Sequence, residues 1–366
     1  TWKKDVRERT FACSHQYLWF YFLCFCLWFG ASASLRLWLF IRTLELQKIV
    51  GHQVKLFLNV IIALSLAAHA LLVGAQEDQT VQALSIPNAY IASDSEGFST
   101  YKYRAGYLPL YTHGEKNTGI SYQHNYFTQG SWDSSAEVYT LFTKAINPRT
   151  GLGYNLNASY NLQNGYRLLT TDSTYGLRVT DTTVVEAFIN RDRVETQNSL
   201  NNGIYYTFPG ISIEQKLVDG LSVVLMGGNM YFSDTNTRPT VKAKLIYDLV
   251  PDYGVTAQLR YRQYRDTNTS VANNYFNPSE YSETMIALGF RKFLSGWMLS
   301  GTAGVGRQTI SQDPSTTTQL YEFAATSPVN SRDYYLKTKL GYGKSAGFLG
   351  PNYFYRYLME ELIIPF

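Results

Sequence analysis

The sequence predicts an all-β protein: a transmembrane antiparallel up-and-down β-barrel of about sixteen strands, with fourteen as the nearest competing count. Three observations carry that prediction. The first is a strict alternation, as in Val255-Thr256-Ala257-Gln258-Leu259-Arg260-Tyr261-Arg262, where odd positions are apolar or aromatic and even positions polar. A strand pleats with period two, so one of its faces is greasy and the other wet. The second is charge: 16% of the 366 residues are charged and 45% hydrophobic, against a charged fraction of about 25% in soluble domains. The third is tyrosine, of which there are 30, all but Tyr17 and Tyr21 lying beyond residue 75. An amphipathic ring suits a membrane–water interface.

From the N-terminus, residues 1–50 read as an extension of upstream or non-native origin. They hold an aromatic-rich apolar run, Tyr17 to Phe29, and the first methionine is Met226. The rival reading is an inner-membrane anchor through Leu18 to Ile41. Residues 51–75 read as a secretory signal peptide: Lys55 gives the positive charge, Leu56 to Ala68 the apolar core, and Val73-Gly74-Ala75 a small-residue cleavage site before Gln76-Glu77. A cut after Ala68-His69-Ala70 and an uncleaved transmembrane helix are the alternatives. Residues 76–85 are expected to be a short periplasmic segment, and 86–366 the barrel.

The formal charge of +4 belongs to residues 1–75, which hold eight Lys/Arg and three acids. The remainder is close to neutral, which gives no basic surface for nucleic acid. Cys13, Cys24 and Cys26 also precede residue 76, so the barrel has no disulfide frame and no thiolate metal site, as suits passage through an oxidising periplasm.

Strand-like runs fall near 86–93, 98–110, 117–128, 135–146, 150–162, 166–171, 174–190, 203–217, 219–233, 239–249, 253–265, 281–293, 296–311, 317–325, 333–345 and 353–366, separated by Gly, Asn, Asp and Pro turns. Strands of about 9 to 11 tilted residues cross a bilayer, and only closure satisfies their backbone groups in lipid. Parity puts Val241, Ala243, Leu245, Tyr247, Leu249, Val255, Leu259, Trp297, Leu299 and Val305 toward lipid. Toward the lumen it puts Lys242, Lys244, Asp248, Gln258, Arg260, Arg262, Arg291, Lys337 and Lys339. The Lys242, Lys244, Arg260 and Arg262 group should cluster on adjacent strands and focus a potential on hydrated or anionic solutes. Neutralisation by Asp248, Glu283 and Glu137 is the competing expectation.

The chain ends on Phe366, with Leu358, Leu362 and Ile364 in the same parity. This resembles the terminal strand of bacterial outer-membrane proteins, whose last aromatic residue is read by the barrel-assembly machinery. Arg356, Glu360 and Pro365 depart from that pattern, and a bulge near Glu360-Glu361 would explain why Tyr353, Tyr355, Tyr357 and Met359 take the other parity. With the C-terminus in the periplasm, the turns at 294–296, 218–220 and 250–252 fall inside. The longer 266–280, 311–315 and 346–352 fall outside, the usual asymmetry.

Three further motifs are Asp94-Ser95-Glu96-Gly97-Phe98, Arg191-Asp192-Arg193-Val194-Glu195-Thr196 and Tyr275-Phe276-Asn277-Pro278-Ser279-Glu280-Tyr281. Together they look like the barrel of bacterial exopolysaccharide-export outer-membrane proteins, the type serving cellulose or poly-N-acetylglucosamine secretion. The resemblance implies a passive pore in the outer membrane for a polysaccharide or other hydrophilic solute, without a cofactor. No 34-residue helical repeat precedes the barrel, so a periplasmic scaffold would be a separate polypeptide or absent. The resemblance would have Tyr275, Phe276 and Tyr281 offer faces to sugars at the outer mouth; the rival role is in an interface girdle. The other function classes are a general or sugar-uptake porin and a lipid-modifying hydrolase built on His124, with Ser121, Ser131, Ser134 or Asp133 near it. In Ile120-Tyr122-His124-Tyr126 that histidine aims outward, and no metal-ligand or nucleotide motif stands out.

Overall fold

Alternating side chains dictate an outcome in which each strand pairs only with its neighbours and the last pairs with the first. The computed structural model describes residues 80–366 except 272–273, 329–332 and 348–349. The segments expected to be a signal peptide and an extension before it lie outside the described residues. In order the strands are β1 (Val81–Asp94), β2 (Phe98–His113), β3 (Lys116–Gln129), β4 (Trp132–Ile146), β5 (Gly153–Gln163), β6 (Tyr166–Arg178), β7 (Thr183–Arg193) and β8 (Tyr205–Val218). They continue with β9 (Leu221–Phe232), β10 (Thr237–Val250), β11 (Val255–Tyr264), β12 (Tyr281–Leu294), β13 (Trp297–Ile310), β14 (Thr316–Thr326), β15 (Tyr335–Gly347) and β16 (Gly350–Pro365). β16 closes on β1 in antiparallel register, and the Phe366 N–H donates to the Gln82 carbonyl.

The outer surface is the greasy parity. Ile286 is 67% exposed and Val241, Leu259 and Val305 are exposed with it, which lipid rather than water makes favourable. Tyr101, Tyr122, Tyr126, Tyr139, Tyr321 and Tyr342 line this surface in cross-strand ring contacts. Inside, two apolar clusters occupy opposite ends of one side of the lumen. Ala83, Leu108, Tyr111, Tyr335 and Ile363 pack at the end that carries the chain termini. Phe98, Phe127, Ala136 and Leu200 pack at the other, the loop end.

Leu200 reaches that cluster from α1 (Gln197–Asn201), a single helical turn in the β7–β8 connection that folds inward across the mouth to β2–β4. Thr196 caps it by accepting from the Ser199 N–H. The Thr196 and Ser199 hydroxyls both donate to the Asn274 carbonyl, and the Asn202 carboxamide donates to Asn274 Oδ1. The two longest connections, 194–204 and 265–280, are thus fastened to each other at the loop end.

Three sequence expectations are corrected. The break at Asp172-Ser173 does not exist: β6 runs on to Arg178, and the turn is at 179–182. Those polar residues sit where the β5–β6 ladder skips from Asn155↔Thr174 to Ser159↔Thr170, and the Asn157 side chain accepts from the Asp172 N–H at 2.9 Å in place of a backbone bond. The expected bulge at Glu360-Glu361 is on the partner strand instead, between Ser85 and Asn88 of β1, where Pro87 lacks the donor a ladder needs. β16 itself pairs without a break from Ile363 to Tyr353. Strand β1 starts at Val81, inside the segment expected to precede the barrel, and β15 and β16 extend to Gly347 and Gly350, shortening the expected 346–352 loop.

Candidate functional site: the barrel lumen

Strands β10 and β11 bring the expected cations together. Lys242 stands opposite Arg262 and Lys244 opposite Arg260 in the ladder, so all four share one face. Arg260 donates through Nε and NH2 to Gln258 Oε1 at 2.9 and 2.7 Å. Arg262 bonds the Tyr281 hydroxyl at 2.8 Å and the Glu283 carboxylate at 2.7 Å. The Tyr281 hydroxyl lies 3.2 Å from Ser345 Oγ on β15, three strands away, which puts this group on the inner wall. Among the described residues Lys242, Lys244 and Arg260 make no ion pair.

Neutralisation is therefore partial. Glu283 takes Arg262, but Glu137 faces outward, opposite His124 in the ladder and 3.2 Å from the Tyr139 hydroxyl. Asp248 lies at the terminal end beside the Gly220 turn. Lys337 and Lys339 are separate from the β10–β11 group and paired: Lys337 to Glu115 at 3.9 Å and Lys339 to Glu322 at 3.2 Å. Glu115 also meets Lys144 at 3.4 Å and accepts from the Tyr335 hydroxyl at 2.7 Å. Burial raises the Glu115 carboxyl, but the two lysines and the hydrogen bonds outweigh it and hold the group below its ordinary value. Arg291 donates to the Pro148 carbonyl at 2.7 Å, so the β4–β5 turn and β12, on opposite walls, touch at the terminal end.

Tyr275 and Tyr281 do not present open faces, while Phe276 is half-buried. Tyr275 is 3% and Tyr281 1% exposed. The Tyr275 ring stacks on Phe232 with centroids 4.4 Å apart, and its hydroxyl donates to Asp234 Oδ1 at 3.0 Å. Tyr281 stacks on Tyr264 at 4.6 Å and meets Phe276 edge-on. Between them the Arg238 guanidinium contacts the rings of Phe232, Tyr264 and Tyr275 and bridges Asp266 at 2.9 Å. Burial pushes the Asp266 carboxyl above its ordinary value against the pull of Arg238, and pushes the Tyr275 hydroxyl up as well. The burial of Tyr275 and Tyr281 departs from the expectation that they offer faces to sugars: a cation sandwiched between rings anchors the 265–280 loop.

His124 points outward, as parity predicts, while Ser121 and Ser134 face inward and are buried. The wall separates that histidine from those two hydroxyls, so neither can serve as the nucleophile it would activate. Among the described residues no group of three His, Cys, Asp or Glu side chains is placed to hold a metal.

Sequence reasoning missed two features. One is a row of tyrosines on the inner face of β16 and β1. Tyr353 and Tyr355 have centroids 6.4 Å apart, Tyr355 and Tyr357 6.2 Å, and Tyr357 and Tyr90 6.0 Å. Their parity was visible, but a supposed bulge explained it away. The other is a cavity of about 540 Å³ beyond Tyr90, whose wall is rich in Asn, Gln, Ser and Thr, among them Asn88, Ser121, Asn125 and Asn161.

No protein-family profile matches this chain, and no curated protein does. Among solved structures it is similar to a "Bacterial polysaccharide outer membrane secretin", with a TM-score of 0.57 and 14% identity over 79% of this chain and 100% of that one. OccK7 of Pseudomonas aeruginosa aligns at a TM-score of 0.38 and 9% identity, covering 78% of this chain and 99% of that one. An anion-selective porin from Comamonas acidovorans aligns at 0.36 and 10%, covering 78% and 99%. The first likeness shows the fold alone, a closed antiparallel β-barrel, in agreement with the sixteen-strand closure of this chain.

Proposed function

We propose that this chain is an outer-membrane pore through which an exopolysaccharide leaves the cell. The observation that carries this reading is a closed barrel with an apolar outside and an inner wall of amides, hydroxyls, tyrosines and cations. Such a lining replaces water contacts for a hydrated solute and needs no energy source. Phe366, 69% exposed on the outer parity, is the element the assembly machinery would read.

Deleting the gene is expected to abolish matrix secretion while leaving uptake of small sugars intact, measured as bound dye on colonies and as radiolabelled sugar entry. Secretion that persists in the deletion strain sinks this reading. A second reading, an anion-favouring uptake porin, is supported by the three unpaired cations on β10–β11 and by α1 folding into the mouth. It predicts the reverse pattern.

A further inference from the structure

The four inner tyrosines stand apart from the cation path. Tyr353, Tyr355 and Tyr357 occupy alternate positions of β16, half-buried, while Phe354, Arg356 and Leu358 between them are exposed on the outer face. The neighbouring strand is shaped to receive them. A Cβ at Gly341 would come within 2.4 Å of the Tyr357 ring, and one at Gly343 within 2.7 Å of the Tyr355 ring. Two glycines of β15 thus let the rings lean onto the wall, where side chains at those positions would displace them. Tyr90 continues the row onto β1, and Tyr90, Lys102 and Met359 belong to the lining of the amide-rich cavity.

We propose that this row is a binding track for an uncharged sugar chain, running from the loop-end mouth to the cavity. The inference rests on the export reading above and names its substrate class. A pyranose has faces of C–H groups and a rim of hydroxyls, so it lies against an aromatic ring while its rim hydrogen-bonds sideways. Ring centroids 6.0 to 6.4 Å apart repeat on the scale of one sugar unit along an extended chain. The rim would meet the cavity, where Asn88 Oδ1, Asn190 Oδ1 and Ser121 Oγ are buried and lack a hydrogen-bond partner among the described residues. Two of these are acceptors only, and a buried acceptor without a donor is costly. Sugar hydroxyls supply donors.

The two cations that touch the rings of the track are each paired with an acid, which favours a neutral ligand there. Lys339 contacts the Tyr357 ring and is held by Glu322 at 3.2 Å; Lys102 contacts the Tyr90 ring and is held by Glu195 at 2.5 Å. Each cation beside a ring is thus balanced by an acid. The Lys242, Lys244 and Arg260 group stands on β10 and β11, five or more strands round the wall, and Arg104, which lines the cavity, is hydrogen-bonded to Gln123 at 2.9 Å.

The test uses the full barrel in planar bilayers, with cellohexaose as the neutral oligosaccharide and hexagalacturonate as the anionic one. Cellohexaose should interrupt the current. Tyr355→Leu and Tyr357→Leu should each raise its half-blocking concentration about threefold to tenfold, while Tyr355→Phe and Lys242→Gln leave it unchanged. Unaltered block in both leucine variants overturns the track. So does tighter block by hexagalacturonate that those variants do not weaken. Should the leucine variants not assemble, Tyr355→Trp keeps a ring and reports directly: its emission should shift on adding cellohexaose, and constant emission overturns the proposal. Open conductance without any cellohexaose block defeats the track and leaves the pore; absence of conductance defeats both.

Discussion

Two strands carry the same local sequence signal, Lys-x-Lys in alternating parity, and do different things with it. On β10, Lys242 and Lys244 face Arg262 and Arg260 across the ladder and stay unpaired among the described residues. On β15, Lys337 and Lys339 are held by Glu115 and Glu322. The count of lumen cations therefore does not give the field a solute meets. What decides it is whether an acid arrives from elsewhere in the chain, and Glu115 arrives from the β2–β3 turn, 222 positions before Lys337. One wall becomes a source of potential, the other a neutral surface on which rings can act.

Removing Glu115 should break this contrast most forcefully. Its side chain is 15% exposed and serves Lys144, Lys337 and Tyr335 together. Glu115→Ala strands two part-buried cations, and removing one partner of such a group costs about 3 kcal/mol, to be read as a lower urea midpoint in folding into lipid vesicles. The pH dependence has a definite sign. Because the folded carboxyl lies below its ordinary value, its contribution is present above the ordinary carboxylate range and is lost as pH falls toward the folded value. A wild-type midpoint that does not drop in acid more than that of Glu115→Ala would show that the hub contributes little.

Next in size is the open wall. Lys242→Gln and Lys244→Gln should each weaken anion preference, measured as reversal potential across a salt gradient. A unit charge at contact distance in water is worth about 1 kcal/mol, roughly a fivefold change in ion occupancy. An unchanged reversal potential in the double variant would mean that ions pass along the other wall.

What the sequence made legible follows from the range of the forces involved. Parity is local, so the strand count, the outward Val241 and Leu259 and the inward Lys242 and Arg260 were readable from a few residues each. The turn at 179–182 was not, because Asp172 and Ser173 have turn chemistry but spend it on Asn157 of the neighbouring strand. The burial of Tyr275 and Tyr281 was hidden for a related reason: Phe232, Tyr264 and Arg238, which enclose them, come from three other segments. The inner tyrosine row failed for the opposite reason. Its signal was local and plain, but a bulge expected at Glu360-Glu361 accounted for the same parity, and that bulge lies on β1 instead.

Glu322 sharpens the comparison from the neutral side. Glu322→Gln releases Lys339, which should then resemble Lys242 and raise anion preference. The pair is about one-third exposed at each partner, so the effect should not exceed about 1 kcal/mol, and it should be opposite in sign to that of Lys242→Gln. A shift of the same sign would mean that Glu322 acts through the Tyr357 hydroxyl, which donates to it at 2.7 Å, rather than through charge.

The smallest effect belongs to one of the two shortest ion pairs among the described residues. Lys216 and Asp219 approach to 2.5 Å, closer than Lys337 and Glu115, yet the Asp219 side chain is 99% exposed at the β8–β9 turn. The Lys216 hydrogen bond, followed by its charge, holds the Asp219 carboxyl below its ordinary value, so a titration should register the contact. Stability should not, because water supplies what either partner loses. Asp219→Asn should leave both the urea midpoint and the reversal potential where they are. If it moved either one, distance rather than enclosure would be what separates the two walls, and the contrast between β10 and β15 would need another cause.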